Sequence, residues 1–118
     1  MRLNHDCIRD ILLFVEENTD DIKESVSSDE LLESLPYDEN TLFYHIRRMD
    51  DANLFDDVAY FGDGIGLVSN LSWNGHCYID NIRDLTIWEK VKSSANKLVS
   101  VSLPILIEKA AEIAFKSF

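Results

Sequence analysis

The sequence predicts a mostly α-helical fold with one small β-hairpin and a C-terminal helical extension. Three observations carry this. Apolar residues recur at helical spacing along most of the chain. Strict two-residue alternation is confined to residues 55–71, around Gly62, Gly64 and Gly66. Glycine and proline are sparse, four and two in 118 residues, which argues against long linkers.

The first helix is expected from His5 to Asn18, with Asn4 as its N-cap. Ile8, Ile11, Leu12 and Val15 form its buried stripe, and Cys7 and Phe14 widen it. Residues 18–21, Asn-Thr-Asp-Asp, end the helix and open a polar loop. Ser27 and Glu30 fit a capping box for a short helix from Asp29 to Leu35, which Pro36 stops. Asp38 caps the next helix, Glu39 to Ala52, whose inward residues are Leu42, Phe43, Ile46 and Met49. Asn53 falls where a left-handed residue is wanted.

A hairpin follows from Phe55 to Leu71. Val58 and Tyr60 alternate on one arm, and Leu67, Ser69 and Leu71 on the other, with residues 62–66 at the tip. Ser72 caps a helix running from Trp73 to about Arg83. Thr86 and Glu89 suggest a second capping box, for a helix over residues 87–98 with Trp88, Val91, Ala95 and Leu98 on one face. Ser102-Leu103-Pro104 opens the last helix, with proline in its first turn.

The order helix, short helix, turn, helix, hairpin, helices is that of a winged helix-turn-helix. The expected division is residues 1–83 for the winged-helix-like part and 84–118 for the extension, packed as one structural domain. Two strings sharpen this. Tyr44-His45-Ile46-Arg47-Arg48-Met49-Asp50-Asp51-Ala52-Asn53-Leu54 resembles the recognition helix of many bacterial winged helices. Leu71-Ser72-Trp73-Asn74-Gly75-His76 resembles the segment by which their second wing strand enters the next helix. Together with the segments 3–10, 80–88 and 100–104, these residues resemble a bacterial and prophage family catalogued only as a domain of unknown function. The resemblance covers essentially the whole chain. It implies a mobile-element setting and brings no established catalytic or binding residues.

Charge runs against the DNA reading that such a fold invites. Through Val58 there are five Lys/Arg and sixteen Asp/Glu, so the first half holds the entire net charge of −11. DNA affinity comes largely from Lys/Arg displacing counterions at phosphates. With Leu42, Ile46 and Met49 facing inward, the groove-reading face of the helix 39–52 would be Thr41, Tyr44, His45, Arg47 and Arg48. Asp38 and Glu39 precede that cluster, Asp50 and Asp51 follow it, and the hairpin carries Asp56, Asp57 and Asp63 with no Lys or Arg. A block of Glu16, Glu17, Asp20, Asp21, Glu24, Asp29, Glu30 and Glu33 would instead steer a basic protein partner.

Other chemistries find little support. His5, Cys7, His76 and Cys77 are metal-ligand types, yet residues two apart on a helix lie about 200° around its axis, and no usual zinc spacing occurs. No metal and no cofactor is expected. No nucleophile elbow, phosphate loop or paired-carboxylate frame marks an enzyme. The last helix is apolar over most of its circumference. Leu103, Leu106, Ile107, Ala110, Ala114 and Phe118 are the expected interface of a homodimer. Two cysteines, no apolar leader and no long apolar run point to a cytoplasmic protein without a membrane partner. The functional expectation is a non-enzymatic protein-interaction or regulatory module acting through its acidic surface. The alternative is a DNA-binding transcriptional regulator using the helix 39–52.

Overall fold

The computed structural model describes residues 1–96 and 102–117. Among them run α1 (His5–Asn18), β1 (Ser25–Ser27), α2 (Ser28–Ser34), α3 (Glu39–Asp51), β2 (Val58–Phe61), β3 (Gly64–Ser69), α4 (Trp73–Ile82), α5 (Leu85–Asn96) and α6 (Leu103–Lys116). The chain is mostly helical with a small antiparallel sheet of order β1-β3-β2. Two compact units divide it, Met1–Gly75 and His76–Phe118. The division falls inside α4, earlier than the expected 83/84.

In the first unit, local chemistry sets the helix ends. The Asn4 side chain accepts from the Cys7 amide at 3.1 Å, starting α1. Cys7, Ile8, Ile11, Leu12 and Val15 are buried along one stripe of that helix. Ser27 and Glu30 form a reciprocal capping box on α2. At the end of α3, Asn53 takes φ 60°. Its amide donates to the Asp50 carbonyl at 2.9 Å, and the Leu54 amide donates to that of Met49 at 3.1 Å. This pair of bonds is a Schellman closure, which returns Leu54 to the core.

Residues 25–27, expected in a polar loop, form the edge strand β1. Val26 lies opposite Val68, and Val58 lies opposite Val68 from the other side. Three buried valines thus stand abreast on the sheet's inner face, the packing that β-branched side chains favour on a pleated surface. Phe61 pairs with Gly64, so the hairpin turn is Gly62-Asp63 alone. Gly62 has φ +62° and Asp63 has no positive φ, the pattern of a turn that needs glycine first. The register shifts between Ala59 and Tyr60, which leaves Gly66 as an extra residue on β3. The alternation therefore changes phase there. Ile65 and Val68 point inward, while Leu67, expected on the inner face, is 38% exposed.

The first turn of α4 passes close to the chain end of α3. A Cβ on Gly75 would lie 2.1 Å from the Leu54 carbonyl oxygen. That oxygen accepts from the Ser72 amide at 3.0 Å, and Ser72 Oγ accepts from the Gly75 amide at 3.1 Å. Glycine is required there by proximity to rigid backbone.

In the second unit, α5 begins at Leu85, not Ile87. Its cap is Asp84, whose carboxylate accepts from the Ile87 amide at 3.0 Å, and not Thr86. Trp88 and Val91 are buried on this helix. Ala95 lies in α5 and Leu98 falls outside the described residues. Helix α6 packs on α5. Leu103, Leu106, Ala110 and Ala114 of α6 are buried within the single chain, and Ile107 is half-buried. Four residues of the expected dimer face are thus buried already in the single chain, and Phe118 lies outside the described residues. Ile105 and Phe115, at 51% and 81% exposure, are the large apolar side chains that α6 leaves outside.

Two outcomes are expected. Gly75→Ala forces backbone apart and lowers stability by about 1–3 kcal/mol, readable as a lower urea midpoint. The second concerns His5, whose pKa lies below its ordinary 6.5 through burial and then the neighbouring His45, against an opposing pull from Asp6. Between those values the unfolded chain binds the proton and the folded chain does not. Stability is therefore full above about pH 6.5 and falls as pH drops through the lowered value. Urea melts at about pH 7.5 and 5.5 should show this slope, and His5→Gln should flatten it.

Candidate functional site: helix α3 and the hairpin tip

Helix α3 is held to α1 through one imidazole. His45, expected on the outer face, is buried, with 1% exposure. Its Nε2 accepts the Asn4 amide at 2.8 Å, and its Nδ1 lies 2.7 Å from the Thr41 carbonyl. Because Nε2 is an acceptor, Nδ1 carries the proton and donates to Thr41. The ring thereby satisfies a backbone N–H ahead of α1 and is unavailable to any groove. The DNA-reading set loses His45 for this reason.

The remaining members of that set stay at the surface but are engaged. Arg47 donates from Nη2 to the Asp63 carbonyl at the hairpin tip. Its guanidinium also lies 5.3 Å from the Tyr60 ring centroid. Tyr60 Oη donates to Asp50 Oδ2 at 2.8 Å. Burial, then this hydrogen bond, pushes the phenol up to about 12. Arg48 pairs with Asp51 at 3.1 Å and lies 5.3 Å from the Tyr44 ring centroid. Thr41 and Tyr44 are half-exposed. Asp38 caps α3, accepting from the Thr41 amide at 2.8 Å. That bond, and a second to the Thr41 side chain, hold its carboxyl below the usual carboxylate range. The positive end of the helix is thus already matched by a negative group.

Between the first turn of α3 and the hairpin tip lies an open cleft of about 600 Å³. Asp38, Glu39, Asn40, Phe43, Tyr44, Arg47 and Asp63 line it. Sequence reasoning found its charged members separately. It placed Phe43 in the core, whereas the ring is half-buried beside the hairpin. The juxtaposition depends on the two-residue turn, which periodicity does not specify.

The acidic block is present and partly structural. Asp20 accepts from the amides of Ile22 and Lys23, at 2.8 and 2.6 Å, and these bonds keep its carboxyl low. Glu30 completes the α2 cap and pairs with Lys23 at 2.9 Å. Glu17, Asp21, Glu24, Asp29 and Glu33 are exposed, and Glu16 is half-buried. They sit on α1, on α2 and along the segment between them.

The metal-ligand types are dispersed. Cys7 is buried in α1, and burial, then Asp10, pushes its thiol up to about 12. His5 is half-buried, and Cys77 is exposed on α4. Among the described residues, no group of three or more His, Cys, Asp or Glu is arranged to hold a metal ion. Nor is any described helix long and apolar enough to cross a membrane.

This mostly helical chain with its small sheet belongs to the family described as "Hypothetical protein (DUF2513)", whose model matches residues 2–102. It is similar to an uncharacterized protein of Haemophilus influenzae (strain ATCC 51907 / DSM 11121 / KW20 / Rd). The two are 28% identical over 116 residues, spanning 97% of this chain and 92% of that protein. No solved structure matches.

The two arginines should separate by substitution. Arg47→Ala frees the hairpin tip from α3, costs roughly 1 kcal/mol and speeds hydrogen exchange at Gly64. Arg48→Ala removes a surface pair and a ring contact, and changes stability by less than about 0.5 kcal/mol. Equal effects would contradict the geometry.

Proposed function

We propose that this chain is a non-enzymatic, winged-helix-type protein of phage or prophage character that acts as a protein-interaction or regulatory module through its acidic surface. The order α1-β1-α2-α3-β2-β3, with the sheet order β1-β3-β2, supports the winged-helix reading. α3 holds the place of a recognition helix, and the β2–β3 hairpin that of a wing. Two free cysteines fit the reducing cytoplasm in which we place it.

One observation carries the preference for a protein partner. Both arginines of α3 are engaged within the chain, Arg47 at the hairpin tip and Arg48 at Asp51, while Asp38, Glu39 and Asp63 share the cleft beside them. A surface that reads DNA needs free cations facing phosphate. Here the cations are held and the free charges are carboxylates. A second reading, a DNA-binding regulator, is favoured by the exposure of Arg48, whose side chain is 44% accessible, with Tyr44 beside it. That pair could reach a base edge if the bond to Asp51 opened.

A mobility-shift assay at ~50 mM salt, where phosphate contacts are strongest, separates the two. The protein-interaction reading expects no retardation of any duplex. It also expects capture of a protein from a nuclease-treated lysate, lost when Asp21, Glu24 and Glu33 are changed to their amides. Tight binding to one defined duplex that Arg48→Ala abolishes would overturn it.

A further inference from the structure

We propose that the cleft between the first turn of α3 and the hairpin tip receives an arginine side chain of the protein partner. The inference rests on the protein-interaction reading and names the chemistry of its contact. Four features of the cleft point to a guanidinium.

The first is charge. Asp38, Glu39 and Asp63 face the cleft, and Arg47 is the one cation among its lining residues. Arg47 points its donor to the Asp63 carbonyl and lies against the Tyr60 ring, and three carboxylates against this one guanidinium leave the cleft negative. Asp38 is exposed and therefore ionised at neutral pH, and its cap bonds to Thr41 lower its carboxyl further. The second is polarity of the helix end. One of the amides that an anion would use, that of Thr41, is occupied by Asp38. A phosphate or carboxylate would also meet the repulsion of the cleft's carboxylates.

The third is the pair of rings. Phe43 and Tyr44 line the same cleft as the carboxylates. A planar, weakly hydrated guanidinium stacks on an aromatic face and forks to a carboxylate at once. A lysine ammonium is better hydrated and makes only the point-charge contact. The fourth is shape: an opening of about 600 Å³ admits a long side chain from a protein surface without any backbone entering. All the lining residues belong to one compact unit, so the cleft does not depend on how other parts of the chain are placed.

The test is an NMR titration of the full chain with a capped peptide of alternating glycine and arginine. Its lysine and glutamate counterparts and a short DNA duplex serve as comparisons, at ~150 mM salt, where long-range attraction is screened. Saturable shifts of the Asn40, Tyr44 and Asp63 amides are expected, with the arginine peptide binding more tightly than the lysine one. Asp63→Lys, which keeps the backbone carbonyl that holds Arg47, should weaken binding about tenfold or more. Glu39→Gln should weaken it less, and both variants should keep the wild-type circular dichroism.

Equal affinity of arginine and lysine peptides, or shifts centred on Asp21, Glu24 and Glu33 and unchanged in Asp63→Lys, would overturn the proposal. So would a lysate partner that both cleft variants retain but the loop-neutralised variant loses. That last result would leave the protein-interaction reading standing. Preference for the duplex at these same residues would overturn both.

Discussion

Burial of His45 is the constraint on which the geometry of the first unit depends. A neutral imidazole with its proton on Nδ1 bridges the Thr41 carbonyl and the Asn4 amide. It joins the body of α3 to the residue that also caps α1. These bonds are only part-buried, so the ring acts together with the buried Leu42, Ile46 and Met49 to set the rotation of α3 about its own axis. Leu42, His45, Ile46 and Met49 then share the inner face. Thr41, Tyr44, Arg47 and Arg48 are left to the outside, in the order 1-4-7-8 that a helix permits. Everything argued about the outer surface of α3 follows from that one rotation. With it set, Arg47 reaches the hairpin tip and Arg48 reaches Asp51.

What could be read from the sequence was whatever local chemistry decides. Asn4, Ser27 with Glu30, Asp38, Asn53 and Ser72 each act on backbone within a turn of themselves, and each stands where the residue types indicate. What could not be read depends on distant partners. Strand β1 has one apolar residue, Val26, between two serines, and is a strand only because β3 lies alongside it. His45 looks polar in any periodicity count and is interior because Asn4, 41 positions away, offers it a donor. The bulge at Gly66 reverses the inward face of β3 between Ile65 and Leu67, so plain alternation selects the wrong leucine. Asp84 shows a subtler limit. Thr86 with Glu89 matches a capping box, but an earlier carboxylate gives the helix another two residues and takes its place.

Helix α6 carries a related lesson. An apolar stripe covering most of a helix says that more than one neighbour is needed, but it does not say whose. Here α5 lies against α6, and Leu103, Leu106, Ala110 and Ala114 are buried without a second copy. The small residues Ala110 and Ala114 suit close approach of two helices in one chain as well as they suit a dimer. The broad apolar stripe together with the short chain favoured the dimer, because a small chain has little interior to offer. A chain whose second unit is three helices does offer it. Glu112 then holds Lys109 and Lys116 on the outside of the same helix, at 3.7 and 2.9 Å.

The concentration of acids in the first half now separates into two populations with different consequences. Asp20, Glu30 and Asp38 are structural: each accepts backbone hydrogen bonds, and each has its carboxyl held low by them or by Lys23. They would be present in any sequence that built these turns and caps; Asp20 and Glu30 say little about a partner, whereas Asp38 also lines the cleft. Asp21, Glu24, Asp29, Glu33 and Glu39 are exposed, and among the described residues none of them makes a capping bond or an ion pair. Asp29 and Glu39 stand in the first turns of α2 and α3, where a carboxylate suits the positive helix end, whereas mutual repulsion among Asp21, Glu24 and Glu33 weakens the compact state. Of this exposed set, Glu39 is the one that lines the cleft at α3 with two aromatic rings. The exposed carboxylates thus form a field over α1, α2 and the segment between them, with Glu39 set apart from it at the cleft beside the hairpin tip.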